Sequence, residues 1–229
     1  MNDPIPSRPG IRPRHRATVR LACAIAASAC ALPAAAHHPV GGATPDSLVH
    51  GLLSGLGHPV IGPDHLAFLV TVALLAAFHR PLALRGASTL AVLFAAAGTV
   101  GVVLRTAAPA FAGIEVLAAA TVLAAGVALA FGRVPAALPG AVAAAVAGSI
   151  HGYAFGEAIV GAEATPLIAY LVGLAAAQGA LLTVAFVAGR RLGVDAPGRI
   201  RAASRTAGLA ATTIGLVLVA RATATVVAG

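Results

Sequence analysis

The chain has 229 residues, of which 59% are hydrophobic and 10% charged, and its mean hydropathy is +0.93. Apolar stretches of about 20 residues recur, which predicts a helical membrane protein and excludes a soluble domain of any size. The net charge of +8 does not indicate nucleic-acid binding, because most of the arginines precede the first apolar stretch or lie in short loops between stretches. Cys23 and Cys30 both lie in that first stretch, so neither a structural disulfide nor a thiolate metal site is expected.

Residues 1–36 have the features of a secretory signal peptide. An arginine-rich start precedes an apolar segment from about Leu21 to Leu32, and a small-residue cleavage site follows it. Cleavage after Ala36 leaves residues 37–229, which we expect to form a single transmembrane domain. The alternative is an uncleaved amino-terminal anchor, which the long basic start supports.

The mature chain is predicted to be an all-α bundle of about six membrane spans. Alanine and glycine dominate its apolar content, as expected where membrane helices approach closely. Most of the mature arginines lie in alternate loops, which predicts that both ends of the chain are periplasmic in a bacterial inner membrane. The predicted spans are residues 48–79 with a break near 58–63, 86–104, 112–131, 138–158, 166–189 and 206–227.

The segment from Gly57 to His65 places two imidazoles and a carboxylate, His58, Asp64 and His65, inside an apolar stretch. An ionisable side chain in a bilayer costs about 2.5–3.5 kcal/mol on insertion scales, so its presence indicates a function. The glycines and prolines of the segment predict a helix break, with Pro63 at the first position after it. Imidazole and carboxylate together suit nickel, cobalt or zinc better than calcium or magnesium. The alternative is a kinked helix whose histidines only hydrogen-bond their neighbours.

A second polar cluster lies between Gly148 and Glu157. Its glycines recur every four residues and form a stripe for close helix packing, flanked by His151 and Glu157. In a regular helix these two side chains lie about 120° apart, so they face one ion only if the helix bends. The alternative is a packing helix with a polar rim.

The predicted mature amino terminus is a third candidate metal site. A free amine beside His37 and His38 can bind a transition metal in an exposed position. The alternative is a pair of solvated histidines without a ligand role.

The sequence around His58, Asp64 and His65 resembles the HPxxGxDH signature of the HupE/UreJ family. The resemblance extends over nearly the whole chain, from the signal peptide to the later His-Gly-Tyr-Ala-Phe-Gly-Glu run. It implies a secondary permease that imports nickel, or cobalt, for hydrogenase or urease assembly and has no ATPase of its own. It also implies that these three residues carry the metal.

By the same resemblance, His151 and Glu157 are partners of the first motif. Phe155 stands where many family members have a histidine, which places the chain in a subgroup and leaves zinc and iron as further candidate ions.

We therefore expect a divalent metal permease rather than an enzyme, with His37 and His38 as an outer capture site. Its expected partners are the metal ion, the lipid bilayer and the maturation proteins of a metalloenzyme. Two alternatives use the same residues. One is an intramembrane metal-dependent hydrolase with three protein ligands and an open water position. The other is a metal-delivery protein that binds the ion but does not transport it.

Overall fold

The fold is helical throughout the part of the chain that the computed structural model describes, residues 43–79, 84–133, 137–193 and 197–228. This confirms the predicted all-α membrane bundle. The predicted signal peptide, with His37 and His38, lies outside the described residues. The helices within these ranges are α1 (Leu48–Ile61), α2 (Pro63–His79), α3 (Leu84–Ala107), α4 (Ile114–Phe131), α5 (Ala137–Phe155), α6 (Ala164–Gly193) and α7 (Pro197–Ala228), and a 3₁₀ turn (Gly156–Ile159) follows α5.

The described helices provide four or five apolar segments that are long enough to cross a membrane. α4, α6 and α7 qualify alone, α5 qualifies together with its 3₁₀ turn, and α1 with α2 makes a fifth. The predicted span 86–104 lies within α3, whose apolar segment in the described residues is the shorter Ala91–Ala107. The number of six spans therefore stays a prediction.

The first span is broken at Gly62, inside the predicted window. α1 and α2 meet there at a bend of 71°. Pro63 begins α2, where its missing N–H removes no helical hydrogen bond. The Gly62 N–H donates to the His58 carbonyl, and the Gly62 carbonyl accepts from Leu66, each at 3.0 Å. The helix continues through Pro59 and breaks once.

Both halves of the broken span pack along α6. Gly51 of α1 lies so close to the backbone of Pro166 that a methyl group would not fit, and Ala77 of α2 lies similarly close to Gly189. The helix between Pro166 and Gly189 is about 35 Å long at 1.5 Å per residue, which exceeds a hydrocarbon core of about 30 Å. The bent pair therefore forms one broken crossing and not a re-entrant loop.

Glycines also bring α3 against α5 and α4 against α7. Gly152 of α5 lies against the backbone of Gly98 in α3, and Gly208 of α7 lies against Ala130 in α4. Together with α1–α6, these are the most extensive helix contacts. The glycine stripe predicted for residues 148–156 thus lies at the α3–α5 interface, as expected for membrane helices that pack through small residues.

The surface of the bundle is apolar and several polar side chains are buried, which is the arrangement a lipid solvent favours. Leu138, Val92 and Val184 are among the large apolar residues that stay exposed. His58, His65 and His151 are instead among the most completely buried side chains. Buried polar groups need partners inside the protein.

Candidate metal centre

Three predicted ligands, from two separate helices, converge inside the bundle. Asp64 and His65 lie in the first turn of α2, and His151 lies near the end of α5. All three are buried, and one ligand atom of each lies within 4.8 Å of the other two. The Nδ1 atoms of the two imidazoles are 2.7 Å apart, and Asp64 Oδ2 is 3.5 Å from the Nδ1 of His65. This set offers two nitrogens and one carboxylate to a single ion.

The carboxylate of Asp64 is only partly satisfied by the protein. Its Oδ1 is buried and has no hydrogen-bond partner. Such an atom in a native structure calls for an explanation, because burial without a partner costs the desolvation energy of the group. The positive end of α2 stabilises the charge of Asp64 but supplies no direct partner for this oxygen. A bound cation would supply one.

Thr121 determines which nitrogen of His151 can bind a metal. The Thr121 hydroxyl donates its one hydrogen to the Ala118 carbonyl at 2.7 Å and also lies 2.8 Å from Nε2 of His151. It must therefore accept from an N–H at that nitrogen. The lone pair of His151 is then on Nδ1, the atom that faces His65. A bond that fixes the tautomer in this way is typical of metal-binding histidines.

Tyr170 determines which nitrogen of His58 carries the lone pair. Its hydroxyl donates to the Phe155 carbonyl at 2.7 Å and contacts Nδ1 of His58 at 2.8 Å. Nδ1 of His58 therefore carries a hydrogen, and the lone pair of this ring is on Nε2. The ring lies next to His65, with centroids 5.6 Å apart, but His58 does not belong to the group of three.

Aromatic rings surround the imidazoles. Phe155 packs against His65 with centroids 4.1 Å apart and against His58 at 5.0 Å. Phe68 stacks on His151 at 4.5 Å. Phe155 thus packs against both imidazoles and offers no ligand atom.

A cavity of about 380 Å³ connects this site with one end of the bundle. His58, Asp64 and His65 contribute buried surface to it. Exposed residues such as Phe111 and Glu115 line it as well, so the cavity reaches the surface. Its walls also include the last turn of α3 and the carboxyl end of α7. We call it the vestibule.

Glu157 lies at the vestibule but outside the group of three. Its Oε2 accepts a hydrogen bond from Nε of Arg105 at 2.7 Å and forms an ion pair with Nη2 at 2.6 Å. α5 ends at Phe155, and Glu157 belongs to the 3₁₀ turn that follows. The predicted approach of His151 and Glu157 to one ion is not made in this structure, because Arg105 holds the carboxylate.

Two other polar residues of the sequence have separate surroundings. His50 lies in the first turn of α1, and its Nδ1 is 3.0 Å from Asp46. This hydrogen bond holds the pKa of the Asp46 carboxyl below its usual value. Gln178 is buried in α6, and its Nε2 has no partner. Neither residue joins the group of three.

Sequence reasoning missed the side chains that orient the ligands. Thr121 is an isolated hydroxyl in the apolar stretch of α4, and Tyr170 is one of two tyrosines in the chain. Each is a weak signal, because a single polar residue in a membrane helix does not reveal which helix it faces. Arg105 follows the predicted span 86–104, a position that indicates a loop charge, whereas it is buried in the last turn of α3.

The fold and the site together define a polytopic helical membrane protein with a buried carboxylate–imidazole site suited to a transition metal ion. The chain belongs to the HupE / UreJ protein family, whose model matches residues 25–218. The expected family is thereby confirmed. No curated protein and no solved structure matches the chain. The family is a permease-like accessory family associated with nickel or cobalt, and it is not an enzyme family.

Proposed function

We propose that this protein is a secondary permease that imports a divalent transition metal ion across the inner membrane of a bacterium. Nickel is the first candidate, cobalt the second and zinc the third. The observation that carries the proposal is the group of Asp64, His65 and His151, which offers converging ligand atoms at a break in a membrane helix. Buried ionisable groups at such breaks line substrate pathways in transporters.

The proposed path begins at the vestibule. The distribution of arginines supports a periplasmic location for this end of the bundle and for the mature amino terminus. After cleavage of the signal peptide, His37 and His38 would capture the ion there. The ion would then reach Asp64, His65 and His151, with His58 close to the same vestibule as a further ligand. The client would be a metalloenzyme, reached through its maturation proteins.

The ligand set supports transport better than permanent retention of the ion. Two imidazoles and one carboxylate bind nickel, cobalt or zinc, but they leave coordination positions that the protein does not fill. Conduction requires binding that is favourable enough for entry and weak enough for release. A set of three ligands with a neighbouring imidazole meets both conditions.

The hydrolase alternative needs a carboxylate that acts as a base beside the metal. Glu157 is the remaining carboxylate of the two motifs, and it does not belong to the group of Asp64, His65 and His151. The geometry therefore favours the permease.

The experiment that tests the proposal is metal uptake by lipid vesicles that contain the purified protein. Nickel, cobalt and zinc are supplied in turn, and bound metal is quantified in parallel. We expect flux through the parent, and a loss of at least about tenfold in Asp64→Asn and His65→Ala, because each removes a ligand. His50→Ala is the matched control and should transport like the parent, since His50 lies outside the group of three.

Two results would overturn the proposal that the protein is a permease. Tight binding without flux would identify a metal-delivery protein. Absence of binding would assign the buried histidines to structure alone.

A further inference from the structure

Arg105 is a buried positive charge on the route by which a cation would reach the metal centre. Its side chain is 9% exposed, and it lines the vestibule together with His58, Asp64 and His65. Like charges repel, and the repulsion is stronger away from bulk water. An unpaired guanidinium at this position would therefore oppose the entry of the ion that the centre is built to bind.

Glu157 compensates that charge in the structure. Both arginine contacts, from Nε and from Nη2, end on its Oε2. The side chain of Glu157 is nevertheless 56% exposed, and it lines the same vestibule. The carboxylate is thus accessible from the vestibule while it pairs with the arginine.

Arg105 is held by more than its ion pair. Its Nη1 donates to the Ala108 carbonyl at 3.2 Å, and its guanidinium carbon lies 5.9 Å from the centre of the Tyr153 ring. A methyl group on Gly156 would lie 2.6 Å from its Cβ, so the backbone of the 3₁₀ turn packs directly on its stem. Of the two partners, Glu157 is therefore the one that is free to turn.

We propose that Arg105 and Glu157 form a charge-exchange gate at the vestibule. Without a cation, Glu157 pairs with Arg105 and neutralises it. When a divalent ion enters, the carboxylate of Glu157 turns from Arg105 and binds the ion. It then releases the ion to Asp64, His65 and His151. Glu157 is then a transient ligand, and Arg105 is the residue that returns it to the closed arrangement. This inference rests on the proposed function.

The gate predicts how charge removal changes the rate of metal binding. Stopped-flow mixing of Co²⁺ with protein in lipid nanodiscs, followed by cobalt absorption, gives the association rate. Glu157→Gln leaves Arg105 without its ion-pair partner and should slow association by at least about tenfold, the lower end of electrostatic effects on association rates. Arg105→Gln combined with Glu157→Gln removes both charges and should restore the rate to within about threefold of the parent.

Two further variants distinguish an effect of charge on the association rate from an effect on folding. Glu163→Gln removes an exposed carboxylate that does not line the vestibule, and it should bind Co²⁺ at the parental rate. Arg105→Lys keeps the positive charge but not the bidentate donors, and it should bind within about threefold of the parent. Thermal unfolding of each variant identifies any that fail to fold.

The outcomes distinguish the gate from its alternatives. If the double variant is as slow as Glu157→Gln, Glu157 is a permanent ligand and the gate is wrong. If association is slow only in those variants whose unfolding temperature has also fallen, the ion pair stabilises the fold and the gate is wrong. If the parent itself binds none of Co²⁺, Ni²⁺ and Zn²⁺, the proposed function fails, and the gate fails with it.

Discussion

At the scale of single residues, two hydroxyl groups determine how the imidazoles present their lone pairs. Thr121 and Tyr170 each donate to a backbone carbonyl and so can only accept from a histidine N–H. The result is a lone pair on Nδ1 of His151 and on Nε2 of His58. These hydroxyls would act on a bound ion only through the imidazoles that they orient.

Substitution of Thr121 tests this role. Thr121→Val keeps the shape of the side chain but removes the acceptor for His151 Nε2–H, and we expect metal affinity to fall by about 10- to 100-fold. Thr121→Ser retains the hydroxyl and should bind like the parent. Equilibrium titration with nickel in nanodiscs measures both. Equal affinity of the valine variant and the parent would show that the tautomer of His151 is set by other contacts.

At the scale of elements, the break between α1 and α2 is what brings a carboxylate and an imidazole into the bundle. Pro63 starts the second half, and Asp64 and His65 occupy its first turn. Gly62 has ordinary backbone angles, with φ −74°, so its lack of a side chain matters for space and not for conformation. A methyl group there would lie 2.5 Å from Cδ2 of His65 and 3.3 Å from Oδ1 of Asp64.

Gly62→Ala should therefore impair the site while the helices persist. The added methyl group must displace the His65 ring, and we expect at least about a tenfold loss of nickel affinity, comparable with the loss of a supporting contact. Gly179→Ala in α6 is the matched control, because nothing lies within 4 Å of the added atom. Circular dichroism verifies helix content, and titration gives affinity. Unchanged affinity in Gly62→Ala would mean that His65 is not positioned by this turn.

The break was predictable from sequence because its causes are local. A glycine followed by a proline ends one helix and starts the next whatever the surroundings. The partners of the ligands were not predictable in this way. His151 meets Thr121 of another helix, and Glu157 meets Arg105, which is 52 residues away. Such pairs depend on how helices pack, and periodicity within one helix does not report that.

At the scale of the whole molecule, one end of the bundle carries the charges that a cation would meet. Asp64, Glu115 and Glu157 line the vestibule together with Arg105. Three carboxylates against one guanidinium give an acidic vestibule, and charge of one sign in a cleft raises the local concentration of the opposite ion. The ends of α3, α4, α5 and α7 build this vestibule, and the broken span closes its inner side. The site is therefore a product of the whole bundle.

The most direct test of the central claim is X-ray absorption at the nickel edge of the metal-loaded protein in nanodiscs. We predict a first shell of nitrogen and oxygen that includes two imidazoles, from His65 and His151, and the loss of one imidazole in His151→Ala. His50→Ala should leave the spectrum unchanged, because His50 lies outside the group of three. A spectrum without imidazole, or one that His151→Ala does not alter, would contradict a metal centre at the helix break.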